Sequence, residues 1–212
     1  MTKHSRTFVL PTLALATILA LAACGGSEPA SSIPGMSSSS SGSAAATGTP
    51  AAGEHNKADV AFATGMIPHH RQAVEMADLA ATRAGSAGVK DLAARIKAAQ
   101  GPEIATMSGW LTGWGAAVPS NSGMAGMDDM GSGSDMGMMS EDDMRMLDQA
   151  SGTAFDKAFL TGMTTHHQGA VAMAKTELSD GSNAQAKALA QDIITSQSKE
   201  IAEMKQLLGS AG

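Results

Sequence analysis

The chain has 212 residues, a formal net charge of −6, one cysteine and no tyrosine. The acidic charge argues against nucleic acid and anionic membrane surfaces as partners, and one cysteine excludes an intramolecular disulfide and a multi-thiolate metal site. Aromatic residues make up 3% of the chain. Alanine and methionine dominate the apolar residues, which favours helices over strands.

Residues 1–24 are predicted to be a secretory signal. Lys3 and Arg6 precede an apolar run that is too short for a membrane span. The run ends in Leu-Ala-Ala-Cys at 21–24, which resembles a bacterial lipobox. The alternative is a simple cleaved signal with a chance cysteine. We expect lipidation of Cys24, so the mature protein would be extracytoplasmic and anchored to the cell membrane.

Residues 25–55 are predicted to be a flexible linker. They are rich in Ser, Gly, Ala and Pro and carry little charge, a composition typical of extended tethers. Residues 56–212 then form one domain, large enough to bury a core.

The domain contains an internal repeat. DVAFATGMIPHHRQAVEMAD at 59–78 matches DKAFLTGMTTHHQGAVAMAK at 156–175, with 12 of 20 positions identical at an offset of 97 residues. The same offset aligns 92–111 with 189–208, including Glu103 with Glu200 and Met107 with Met204. The repeat unit is therefore a pair of helices.

Apolar spacing predicts helices near 57–84, 87–114, 141–179 and 183–208. Short turns make neighbouring helices antiparallel. The expected fold is all-α, an antiparallel four-helix bundle built from a duplicated helix-hairpin with a pseudo-twofold axis. Pro68 lies inside the first helix and should kink it.

A Met-rich loop, residues 116–140, connects the two units. It mixes Met with Gly, Ser and Asp, and we predict that it is mobile. Flexible Met-rich segments serve as adaptable apolar contacts, but this composition has little to bury, which favours metal capture over docking. Its methionines are secondary metal-ligand candidates: Met124, Met127, Met130, Met136, Met138 and Met139.

Paired histidines occupy equivalent positions in the two repeats. At helical spacing each pair shares one stripe with a methionine before and after it. Imidazole and thioether together favour Cu(I), and ordinary imidazoles would bind it less well below about pH 6. The predicted metal ligands are Met66, His69, His70, Met76, Met163, His166, His167 and Met173, with Met107 and Met204 as secondary candidates.

A structural alternative exists for each group. Methionines at helical spacing usually fill a core, and a single histidine on such a face is usually structural. Two matched His-His pairs favour metal binding. Glu103 and Glu200 would be either partners of histidine N–H groups or solvated charges, and solvation is the default expectation.

The repeated [FL]xTGM-x-x-HH-x-x-A-V-x-M-A motif, followed by E-I-x-x-M, resembles the bacterial family known as domain of unknown function 305. The resemblance implies a ferritin-like bundle, export, and in some members copper binding and copper tolerance. It maps the motif onto Met66, His69, His70 and Met76, and onto their counterparts 97 residues later. The second copy departs at Thr164-Thr165.

The leading hypothesis is an envelope buffer or metallochaperone for Cu(I), and for Ag(I), that is not an enzyme. The second is a non-metal interaction module. A di-iron oxidase ranks lowest, because such sites use Glu-x-x-His and the chain has none. Whether the two histidine pairs form one site or two stays open at this point.

Overall fold

The computed structural model describes residues 53–120 and 136–210. They form five helices and no strand: α1 Lys57–Arg83, α2 Ala87–Gly113, α3 Glu141–Gln149, α4 Gly152–Asp180 and α5 Ala184–Ser210. The predicted signal, Cys24, almost all of the linker, and Met124, Met127 and Met130 fall outside the described residues.

Polar caps set where the helices begin. Asn56 accepts hydrogen bonds from the N–H groups of Ala58 and Asp59, and the Asp59 carboxylate accepts one from the Asn56 N–H, which completes a capping box. The side chain of Ser86 caps α2 by accepting a hydrogen bond from the N–H of Val89. α1 runs through Pro68 without ending there.

The third predicted helix is divided in two, so the expectation of one helix over 141–179 is wrong. α3 ends at Gln149, and α4 begins at Gly152. Gly152 has φ +59, a conformation that other residues adopt only at a cost and that turns the chain between the two helices. α3 packs on the bundle through the buried Leu147.

The two helix-hairpins, α1–α2 and α4–α5, pack mainly through α1 against α4, while α2 and α5 barely touch. Two apolar clusters fill the interior. One, at the α1–α2 turn, includes Ile96, Phe159 and Met204. The other, at the α4–α5 turn, includes Phe62 and Ile193. We call them the first and second clusters.

Two aspartates join the hairpins reciprocally. Asp59 of α1 accepts hydrogen bonds from the N–H groups of Ser182 and Asn183 in the α4–α5 turn. Asp156, its equivalent 97 residues later, accepts them from Gly85 and Ser86 in the α1–α2 turn, at 2.9 Å each. Both aspartates are buried. Each end of the bundle is thus held by a carboxylate from the opposite hairpin.

The predicted all-α bundle of duplicated helix-hairpins is confirmed. Within the described residues, no helix combines the length and apolar character needed to cross a membrane.

Candidate metal centre

A layer of polar side chains lies between the two apolar clusters. Going along each long helix, the chain leaves one cluster, passes through the layer and enters the other cluster. All four paired histidines are fully buried there, together with two glutamines. We define the central polar layer as His69, His70, Gln100, His166, His167 and Gln197.

One histidine from each repeat meets at the centre of the layer. The rings of His69 and His166 have centroids 3.7 Å apart and are tilted by 43°. These residues are equivalent in the repeat, so the pseudo-twofold axis passes between their rings. The two hairpins therefore contribute one ring each to a single place on this axis.

The other two histidines pair with glutamates within their own hairpins. His70 Nε2 lies 2.6 Å from Glu103 Oε2, and His167 Nε2 lies 2.8 Å from Glu200 Oε2. The glutamate side chains are only 20% and 17% exposed. The default expectation that they are solvated charges is therefore wrong. A carboxylate accepts, so each ring donates its Nε2–H.

These bonds fix which ring nitrogens are left free. His69 donates Nε2–H to the backbone carbonyl of Met136 at 3.0 Å. The Nδ1 atoms of His69, His70 and His167 have no hydrogen-bond partner among the described residues, and neither ring nitrogen of His166 makes a regular one. In a neutral ring whose Nε2 carries the proton, Nδ1 holds the lone pair.

Burial keeps the central pair neutral. Loss of solvation, with a smaller contribution from the neighbouring His70, lowers the pKa of His69 from 6.5 to about 3. Burial, and then the facing His69, hold the pKa of His166 well below its usual value. Neutral imidazole is the metal-binding form. The expectation of weakened binding below about pH 6 used the ordinary imidazole pKa, which does not hold for these two rings.

Gln100 and Gln197 belong to the layer, and the sequence analysis missed them. They are 2% and 3% exposed, and three of their amide atoms have no hydrogen-bond partner in the part of the chain that the structure describes. They are equivalent at the 97-residue offset and interrupt otherwise apolar stripes. That matched interruption was the signal in the sequence that could have found them.

The predicted thioethers flank the layer. Met66 and Met107 belong to the second cluster, Met76, Met163 and Met204 to the first, and all five are fully buried. Met173 is only partly buried. Met66 precedes His70, and Met163 precedes His167, by four residues, which is about one helical turn.

The last part of the Met-rich loop is docked on the bundle. Met138 is buried, and Met139 N–H and C=O both bond to Gln72, at 2.8 Å each. Arg71 holds the carbonyls of Pro119 and Ser120. Residues 136–139 therefore pack against the bundle, although the sequence predicted that this loop has little to bury.

The donor set fits a soft metal ion. Among the described residues, no three His, Cys, Asp or Glu side chains are grouped so that they could hold a metal. The layer and the clusters beside it offer buried imidazole nitrogens and buried thioether sulfurs, the kinds of donor that suit Cu(I). The neutral, unpaired nitrogens at its centre are the atoms such an ion would use.

This fold and site define a class: a bundle of duplicated helix-hairpins with a buried histidine pair on its pseudo-twofold axis. The chain belongs to the family described as domain of unknown function (DUF305), whose model matches residues 59–208. No curated protein is significantly similar to it.

Three solved structures illustrate the similarity. A DUF305 protein from Streptomyces coelicolor, described as a candidate secreted protein, is 34% identical, with TM-score 0.64, covering 73% of this chain and 92% of its own. A DUF305 fragment from Deinococcus radiodurans is 29% identical, with TM-score 0.64 and coverages of 73% and 97%. CopM in its Cu(II)-bound form is 35% identical, with TM-score 0.60 and coverages of 72% and 96%. CopM structures with Cu(I) and Ag are also similar.

Proposed function

We propose that this chain is an exported copper-binding protein that holds Cu(I), and also Ag(I), between its two hairpins. It acts as a metal buffer or metallochaperone in copper tolerance and catalyses no reaction. The copper and silver forms of CopM support the choice of metal. The single observation that carries the proposal is the contact between the buried, neutral rings of His69 and His166.

The energetic argument starts from the unpaired atoms of the central polar layer. Each buried polar group without a partner costs roughly 1–3 kcal/mol. Five ring nitrogens and three glutamine atoms of the layer are in this position. Apolar residues in the central polar layer would make the bundle more stable. A bound metal ion, which these nitrogen atoms would coordinate, accounts for the polar residues instead.

The proposed ligands differ in role. His69 and His166 supply nitrogen from the two hairpins, and Met66 and Met163 are the nearest thioethers along each helix, one turn away. Glu103 and Glu200 orient the rings of His70 and His167, as carboxylates commonly do for metal-binding imidazoles.

Competition titration against a Cu(I) chelator under reducing conditions tests the site. The variant His69→Ala/His166→Ala should lose at least a hundredfold in affinity, because both nitrogen donors at the axis are removed. His55→Ala is the matched control, since His55 is exposed and stacks on Trp114 outside the layer. Equal affinity of the double variant and the control would refute the proposal.

The location is part of the proposal. We propose that Cys24 carries a lipid that anchors the chain at the outer side of the membrane, with residues 25–55 as a tether. The candidate secreted relative supports export. Cys24→Ala should move the protein from the membrane fraction to the soluble fraction without changing copper affinity. Retention of the variant in the membrane fraction would contradict the lipid anchor.

A further inference from the structure

The two repeats differ where the segment between them docks. Gln72 of α1 has Gly169 as its equivalent in α4, and Arg71 has Gln168. Gln72 and Gly169 lie three residues after His69 and His166, and Arg71 and Gln168 lie two residues after them. The difference therefore falls beside His69 and His166, the two residues that meet at the axis.

Residues 136–139 lie across α1 and α4 at this level, and we call them the strap. On the α1 side, the Gln72 amide donates to Met139 C=O and accepts from Met139 N–H, while His69 Nε2 donates to Met136 C=O. Gln72 is 4% exposed. A buried amide that bonds both the N–H and the C=O of one residue fixes the position of that residue closely.

On the α4 side, the strap rests on bare backbone. A Cβ atom at Gly169 would lie 1.7 Å from the Met136 carbonyl oxygen, and one at Gly137 would lie 2.5 Å from the Thr165 carbonyl oxygen. Gly137 also has φ +77, which favours glycine. The oxygen that accepts the His69 proton can occupy its place only because residue 169 has no side chain.

We propose that Gln72 and Gly169 are positioning residues that hold the strap, and that the strap fixes Nδ1 of His69 as its metal-binding nitrogen. Either ring nitrogen of a neutral histidine can carry the proton, and the Met136 carbonyl selects the His69 tautomer with the proton on Nε2. Among the residues that the structure describes, no hydrogen bond joins His166 to the strap, and its weak backbone interaction is with His69. The inference rests on the proposed function for its metal, but the tautomer belongs to the metal-free protein as well.

The strap also joins the Met-rich loop to the site. Met139 Sδ would lie 2.9 Å, and Met76 Cε 3.6 Å, from a Cβ at Gly162, so these two thioether side chains are neighbours. The equivalent place on the other side pairs Gly65 with Met173. The strap thus gives one side of the bundle an additional sulfur.

Two variants that release the strap from opposite sides test this inference. Gln72→Ala removes both bonds to Met139, and Gly169→Ala forces the Met136 carbonyl away. The matched control is Gln168→Ala, which removes an exposed amide next to Gly169. Circular dichroism and denaturant titration confirm that each variant is folded. If Gly169→Ala does not fold, Gln72→Ala alone decides.

The first readout is the tautomer of His69 in the metal-free protein, from long-range nitrogen–proton NMR correlations. The wild type and the control should show His69 protonated on Nε2 alone, and both strap variants a mixture. The second readout is Cu(I) affinity, which should fall at least tenfold in both variants, the usual range for partners of a ligating histidine. An unchanged tautomer and affinity in both variants would overturn the inference.

The two proposals fail in different ways. If the wild type binds Cu(I) no better than His69→Ala/His166→Ala, the proposed function fails, and the tautomer measurement still decides the role of the strap. If the wild type binds tightly and the strap variants match it in both readouts, only the strap inference fails.

Discussion

The two hairpins are nearly alike, yet among the described residues only His69, and not its equivalent His166, is hydrogen-bonded to the strap. Both supply a buried His-His pair and a glutamate partner for the second ring. His69 donates a hydrogen bond to the strap, whereas neither ring nitrogen of His166 makes a hydrogen bond of normal geometry to the described residues. The repeat thus accounts for the matched pair of rings, and the difference between Gln72 and its equivalent Gly169 is one of those that make the surroundings of the two rings unequal.

The largest expected effect tests whether the hairpins hold each other equally. Asp156→Ala should lower the free energy of unfolding by about 3 kcal/mol, because the two hydrogen bonds that the buried carboxylate accepts from the N–H groups of Gly85 and Ser86 are lost. Asp59→Ala should cost a similar amount. Denaturant titration measures both.

The matched control for these aspartates is Asp148→Ala, whose side chain is 52% exposed in its ion pair with Arg83. Exposed pairs contribute about 0–1 kcal/mol. A loss at Asp156 as small as that of the control would show that the reciprocal contacts do not hold the bundle together.

The next effect concerns the glutamates, where the hairpins are alike. Glu103→Gln and Glu200→Gln should each lower Cu(I) affinity about tenfold, because a neutral amide orients the imidazole less strongly than a carboxylate. Chelator competition measures both. A large difference between the two variants would mean that the hairpins are unequal at this position as well.

Much of this arrangement could be predicted from the sequence. The offset of 97 residues predicted two equivalent hairpins and matched His-His pairs, because identical residues at identical helical positions take equivalent places. The strap could not be predicted, since its bonds join residues 67 apart and depend on the missing side chain at 169. The role of Glu103 was open because an acidic residue on a helix edge suits both solvent and a buried partner.

A third, smaller effect depends on pH and belongs to the α4–α5 hairpin alone. Burial, and then contact with Asp59, raise the pKa of Glu177 to about 8; its equivalent in α1 is Ala80. Because the folded protein holds the Glu177 proton more tightly than the unfolded chain does, the contribution of Glu177 to stability is complete below about pH 4.5. It declines as the pH rises to about 8. Glu177→Gln should remove this decline, measured as denaturation midpoints from pH 5 to 9.

The contribution of Asp59 to stability depends on pH in the opposite direction. Burial alone would raise its pKa, but hydrogen bonds from the N–H groups of Asn56 and Asn183 outweigh burial and lower it to about 2. Its contribution is therefore complete above about pH 4 and lost as the pH falls towards 2. For Glu177, the opposing result is a Glu177→Gln variant whose stability still falls between pH 5 and 8 as that of the wild type does. Glu177 would then not be the source of the fall.

The smallest effect on stability separates packing from ligation. Met66→Leu and Met163→Leu keep the volume of a buried side chain and should change the free energy of unfolding by less than about 1.5 kcal/mol. Each removes a thioether, so Cu(I) affinity should fall several-fold. If affinity stays at the wild-type value in both, these methionines only fill the core.

The reciprocal aspartate contacts have a consequence for how the bundle can be assembled. Each hairpin carries both a buried aspartate and a turn whose N–H groups donate to the aspartate of the other hairpin. A single hairpin is therefore complementary to a second copy of itself. Two such copies would meet in a closed, isologous homodimer, with one axial histidine from each subunit. We therefore expect the reciprocal contacts to pair two hairpins without a covalent link, and the link adds the means to make the two halves chemically distinct.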